Sequence, residues 1–250
     1  MYRLMKLLAV LAITSPMVAC VTTQTKVPQE TLANIRTIGI AAALGDEFSF
    51  VSYGMTIMSN DRRKTFVPEW HWDRLALQKM QTGLSGKFSV STVETDKESL
   101  LRVAKTPYET LAQQAFTAIT KPMQPPDAYL VILRGNERDL SGSRTVDGIG
   151  AFREDRVIRY VPQYAVYAIF DLLLIDAKSG RLLAASEGRI GCPECIAADS
   201  VAIRRIEGSS QWPADFPSLF AQYRDQLRDA EAGLIGDSIS WTLKQMGLTK

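Results

Sequence analysis

The sequence predicts an α/β protein: a mixed β-sheet packed with helices, built on a long central hairpin and closed by a C-terminal helix. Three observations predict it. Tyr164 to Ile190 is a largely apolar stretch broken by the turn-forming Asp176-Ala177-Lys178-Ser179-Gly180. From Ile35 to Leu133, apolar runs of strand length alternate with segments of helical spacing, the order of a β-α-β chain. Finally, Leu219, Tyr223, Leu227, Ala230, Leu234, Ile239, Leu243 and Met246 recur at near-helical spacing through Ser218 to Met246.

Each element follows from its residues. Ile35 to Leu44 is a first strand, short and rich in small residues, ending at Gly45-Asp46. Phe48 to Met58 carries bulky residues at Phe48, Phe50, Tyr53, Met55 and Ile57 and is expected beside it, antiparallel, with a bulge at Gly54. Ser59 to Lys64 is polar and basic and is expected to be a loop. A helix runs from Asp73, its expected cap, to Leu84, with Gly86 just past its end. Phe88 to Val93 is a short strand, Ser99 to Ile119 a helix interrupted at Pro107, and Ala128 to Leu133 a buried strand. Ser141 to Asp155, rich in Gly, Ser and charge, is expected to be a mobile loop. In the hairpin, Val166, Ile169, Leu172, Leu173, Leu174 and Ile175 have the composition of a central strand covered on both faces. Asp176 and Ser179 can bond their own backbone, and Gly180 can take the positive φ that closes the turn. The return strand, Arg181 to Ile190, starts apolar and ends polar. Gly233 and Gly236 are the places where the C-terminal helix would break.

The start of the chain carries the most specific signal. Arg3 and Lys6 precede an apolar stretch from Leu7 to Val18, of secretory-signal length and short for a bilayer span. Met17-Val18-Ala19-Cys20 follows, and here the chain resembles the bacterial lipoproteins, whose lipobox ends in a small residue and then Cys. The resemblance implies that Cys20 is the lipid-attachment residue, that cleavage before it removes residues 1–19, and that the new amino terminus is acylated. Val21, rather than Asp, after the Cys implies delivery to the outer membrane, facing the periplasm. Several acyl chains on one residue, at roughly 0.8 kcal/mol per buried methylene, make such an anchor effectively permanent. Val21 to Gln29 is polar and contains Pro28. The expected division is therefore a signal peptide at 1–19, an acylated tether at 20–33 and a single periplasmic domain at 34–250. The segment Leu174-Ile175-Asp176-Ala177-Lys178-Ser179-Gly180-Arg181-Leu182-Leu183 also resembles a hairpin of periplasmic accessory lipoproteins of the curli-secretion and TolB amino-terminal-domain type. That likeness bears on fold and carries no function.

Charge narrows the partners. The 29 Lys and Arg against 27 Asp and Glu become 27 against 27 once Arg3 and Lys6 are removed. A neutral body lacks the electrostatic footprint of a nucleic-acid binder. With 46% apolar residues, it has the material for a sizeable core.

Few residues could carry chemistry. Cys192 and Cys195 form a C-x-x-C, whose thiols can make a disulfide, exchange redox equivalents or supply half a zinc site. In an oxidising compartment the structural disulfide is the default. With Cys20 acylated, the remaining soft ligand is His71, too few for tetrahedral zinc, so no metal or cofactor is expected. His71 is the sole histidine and thus the sole general-base candidate near neutral pH, but no G-x-S-x-G elbow accompanies it. Flanked by Trp70 and Trp72, it is expected in a partner-binding patch. Gly148-Ile149-Gly150 precedes a strand rather than opening a helix, so it belongs to a loop and not to a phosphate site. Asp46, Glu47 and Asp61 could gather as carboxylates, but turn and cap duty is the expectation. Together these features point to a lipid-anchored, non-catalytic binding or assembly component, partnered by another envelope protein or the cell wall. The rival expectation is a periplasmic enzyme, thiol-disulfide or hydrolytic, using Cys192 and Cys195 or His71.

Overall fold

Two places where the chain steps from one sheet to another organise the molecule. The computed structural model describes residues 25–54, 60–102, 106–136, 138–139, 145–154, 163–190 and 202–249. After a short helix α1 (Gln29–Ala33), strand β1 (Thr37–Ala43) leads through Gly45, at φ 77°, into β2 (Glu47–Tyr53), which belongs to a different sheet. The expectation that these strands pair is corrected: β2 pairs antiparallel with β3 (Asp61–Phe66) and parallel with β8 (Ile149–Glu154). The second step is at Ile169. β9 (Gln163–Ala168) ends there in one sheet and β10 (Phe170–Asp176) begins in the other. Ile169 bonds to both sides, its N–H donating to Gly148 O at 2.7 Å and its carbonyl accepting from Gly135 N at 2.8 Å. The long apolar run is thus two strands, because each half is buried in its own sheet.

The first sheet has the order β11-β10-β5-β1-β4 among the described residues. Here β4 is Ser89–Thr92, β5 is Ala128–Arg134 and β11 is Leu182–Glu187. β4 and β5 flank β1 in parallel, while β10 and β11 run antiparallel. The hairpin turn forms as its residues predict. Asp176 Oδ1 accepts from the N–H and the hydroxyl of Ser179, each at 2.7 Å, and Gly180 has φ 71°. The second sheet has the order β12-β9-β8-β2-β3, with β12 at Ala202–Arg205. A two-residue pair, β6 (Arg138–Asp139) and β7 (Thr145–Val146), lies apart.

Helix α2 (Trp72–Leu84) lies on one face of the first sheet and joins one apolar cluster, and α3 (Lys97–Leu101) and α4 (Tyr108–Ala118) lie on the other and join a second. Pro107 stands just before α4, where its missing N–H costs the helix no hydrogen bond. α5 (Phe216–Gln245), 30 residues kinked at Tyr223, packs against α2, β9 and β12. Its one non-helical residue is Tyr223, and the helix continues through Gly233 and Gly236. At Gly236 a Cβ would meet the movable end of the Lys79 side chain.

Three further expectations change. Residues 61–64 begin an edge strand, β3, whose charged side chains hid it from an apolar-period reading while suiting an unpaired edge. Thr145 to Glu154 carries β7 and β8 rather than loop alone. Part of the stretch expected as tether packs into the body: Val27 is buried and its N–H donates to Met246 O at 3.0 Å, and Leu32 is buried as well.

Candidate functional site

The aromatic patch resolves into core. A 3-10 turn (Pro68–Trp70) meets α2 at His71, which sits at φ 53° in the left-handed region. That single reversal turns Trp70 and Trp72 inward, to 7% and 1% exposure, and leaves His71 outside. Trp70 lies against Phe48 at 5.1 Å, Trp72 at 5.2 Å and Phe220 at 5.8 Å between ring centres. The indoles therefore offer no partner-facing surface. Cys20, Cys192 and Cys195 lie outside the described residues.

The G-x-G has a structural cause. Gly148, at φ 63°, lies against the Arg134 guanidinium, and Gly150 lies against the Ser49 carbonyl and the Tyr167 hydroxyl; a Cβ at either would collide. The three candidate carboxylates do not converge. Asp46 meets Lys97 at 3.5 Å, Glu47 meets Lys64 at 2.7 Å and Arg134 at 3.0 Å, and Asp61 meets Arg63 at 2.9 Å.

Two places unforeseen in the sequence do concentrate polar groups. One is the crevice at the carboxyl ends of the parallel strands. β1 connects by way of β2, β3 and α2 to β4, and β4 connects through α3 and α4 on the other face to β5, so the connections leaving the neighbouring strands β1 and β4 part to opposite faces and the crevice between them is a topological switch point. Here it is filled by ion pairs. Asp73 Oδ1 accepts from Leu44 N at 2.6 Å and Gly45 N at 3.3 Å, and Oδ2 meets Lys97 at 2.6 Å. Lys64 bridges Glu47 and Asp147, and the hydrogen bond it donates to Glu47, outweighing partial burial, holds its ammonium above the ordinary lysine value. Burial pulls Lys97 down, but Asp73 and Asp46 together leave it raised too. Groups so paired stay charged and hold the loops in place.

The other is a cleft of about 240 Å³ between β11, the first turn of α4, the last turns of α5 and Thr25. Tyr108 Oη donates to Asp171 Oδ1 at 2.8 Å on its wall, and Asp171 is 6% exposed. Ser186 donates to the Glu187 carbonyl at 3.2 Å, and Arg189 stands 3.8 Å from the Glu187 carboxylate. Trp241 and Gln245 close it from α5. The sole histidine is elsewhere, so this arrangement can hold a polar group beside an indole, and it positions no imidazole base. Sequence reasoning missed it because its residues come from four distant stretches with no local motif. Among the described residues, no three His, Cys, Asp or Glu side chains gather as a metal site. No helix there is long and apolar enough to cross a membrane.

No protein-family model and no curated protein matches the sequence. Among solved structures, the chain is similar to the crystal structure of a Xanthomonas campestris protein of the family DUF330. The identity is 11%, covering 84% of this chain and 85% of that one, with a TM-score of 0.29.

Proposed function

We propose that the protein is a lipid-anchored component of the bacterial cell envelope, held at the outer membrane through Cys20, that binds or helps assemble another envelope component. The observation that carries this reading is the Met17-Val18-Ala19-Cys20 lipobox placed seven residue steps before Val27, which is packed into the folded body. Seven extended residues reach at most about 25 Å, so the anchor holds the body close to the bilayer rather than letting it range through the periplasm. The cleft beside Thr25 opens next to that tether, and its donors, acceptors and indole suit a polar partner group.

The test is the intact mass of protein extracted from membranes. A mass starting at a di- or triacylated Cys20 is the expected result, and an unmodified Cys20 would end the reading. The same sample, alkylated with and without reductant, reports whether Cys192 and Cys195 are linked.

A further inference from the structure

The ends of the strands that face away from the ion-paired crevice carry a different kind of charge. β1, β4 and β5 start in register, Thr37 opposite Ser89 and Ile38 opposite Ala128, and the β10–β11 turn closes the row, with Asp176 opposite Ala128. One continuous face results. Lys26 lies beside Gly247, and Lys87 Nζ donates to the Gly247 carbonyl at 3.0 Å. Ser89 N donates to Arg36 O at 2.9 Å, and Arg36 N donates to Asp127 Oδ2 at 2.8 Å. Ala177 N, next to Lys178, donates to Asp127 O at 3.2 Å. Gly180 packs on Phe116, over whose ring Lys121 Nζ stands at 4.9 Å.

Lys26, Arg36, Lys87, Lys121 and Lys178 are all exposed. None of them makes an ion pair among the described residues, whereas Arg62, Lys64, Lys97 and Arg134 of the far pole are each paired. Arg181 and Lys244 flank the five. Asp127 and Asp176 are acids bonded into this same face, so cations outnumber them here on a body that is neutral as a whole. Asp127 Oδ2 accepts the N–H groups of Arg36 and Thr37, and Asp176 Oδ1 those of Lys178 and Ser179. Met123 is 103% exposed in the Pro-rich loop between Lys121 and Pro126. It is an apolar side chain presented to solvent amid cations. The chain enters this same face at Lys26-Val27.

We propose that this face rests on an anionic phospholipid surface, its cations over the head groups and Met123 in the interfacial layer. The inference builds on the anchored reading, because a tether of at most about 25 Å brings this face within reach of the bilayer. Cations near an anionic leaflet contribute through screened attraction within about a Debye length, so the contact is sensitive to salt.

The experiment reconstitutes the full protein, extracted from membranes, into vesicles of phosphatidylcholine with or without phosphatidylglycerol. A photo-crosslinking residue is placed at Met123 or at Arg63 of the far pole. Expected are lipid adducts at position 123 that rise with phosphatidylglycerol, fall with salt and drop about tenfold or more in Lys26→Glu/Lys178→Glu, with few at position 63. Equal adducts at both positions, or adducts indifferent to lipid charge and salt, would overturn the proposal. The mass of the same sample separates this from failure of the anchor. Acylated Cys20 with charge-indifferent adducts sinks the face alone. If Cys20 is unmodified, co-sedimentation with the two vesicle types decides the face: binding confined to the anionic ones supports it, and no binding ends it.

Discussion

Asp73 Oδ1 accepts the Leu44 N–H at 2.6 Å, tying the first turn of α2 to the end of β1 where the chain leaves one sheet for the other. The same carboxylate also receives Gly45 N and the Lys97 ammonium. Asp73→Ala leaves two N–H groups without their acceptor and the partly buried Lys97 with Asp46 alone. It should cost about 2–3 kcal/mol in denaturant unfolding, with Asp73→Asn intermediate. A change below about 0.5 kcal/mol in Asp73→Ala would show that water replaces the carboxylate without loss.

Glu231 gives a prediction of opposite sign. It is fully buried on α5, and neither carboxyl oxygen has a hydrogen-bond partner among the described residues. Burial drives its carboxyl well above the ordinary value of 4.5; Arg204, itself paired with Asp237 at 2.6 Å, opposes the shift. The folded state keeps a proton that the unfolded chain releases above about that ordinary value. Stability therefore falls as pH rises from there toward the raised folded value. Glu231→Leu should remove that fall and gain about 1–3 kcal/mol at neutral pH, with a smaller gain in acid. Urea unfolding of both proteins across pH checks it. A constant difference at every pH would mean that Glu231 does not hold its proton.

The hairpin, the β1-α2-β4-α3-α4-β5 order and the long last helix were legible in the sequence because each rests on local physics: a turn signal, a helical stripe, a proline. What escaped is non-local. Residues 61–66 have no apolar alternation, and they become a strand because β2 offers an edge. Val166 to Ile175 cannot announce the sheet change at Ile169, since an apolar run is the same in either sheet. Trp70 and Trp72 looked like a surface pair because spacing two apart on a strand or loop does not reveal the left-handed His71 that turns both inward. The cleft beside Thr25 joins residues from the beginning, middle and end of the chain, and no window of sequence contains it.

Gly150 tests the account of the G-x-G. In β8 it pairs with Ser49 across one neighbour and Tyr167 across the other, and a methyl group there would meet the Ser49 backbone carbonyl. Backbone cannot step aside as a side-chain end can. Gly150→Ala should therefore lower stability by about 3 kcal/mol or more, or prevent folding. At Gly148 the obstacle is the Arg134 side chain, which can move, and the positive φ adds about 1 kcal/mol for a non-Gly residue. Gly148→Ala should be the milder of the two. The reverse order in thermal unfolding would place the constraint at the turn instead of the sheet.

The last pair of substitutions separates core from surface within three consecutive residues. Trp72 is 1% exposed and packs edge-on to Trp70 at 5.2 Å, so Trp72→Ala removes a large buried side chain and should cost about 3–5 kcal/mol. His71 is exposed and holds a left-handed φ that a side chain resists, so His71→Gly relieves strain while loosening the unfolded chain. Those effects nearly cancel, and the change should stay within about 0.5 kcal/mol. Chemical denaturation of both variants measures the contrast. If Trp72→Ala were as mild as His71→Gly, the indole would not be core, and the surface-patch reading of Trp70, His71 and Trp72 would return.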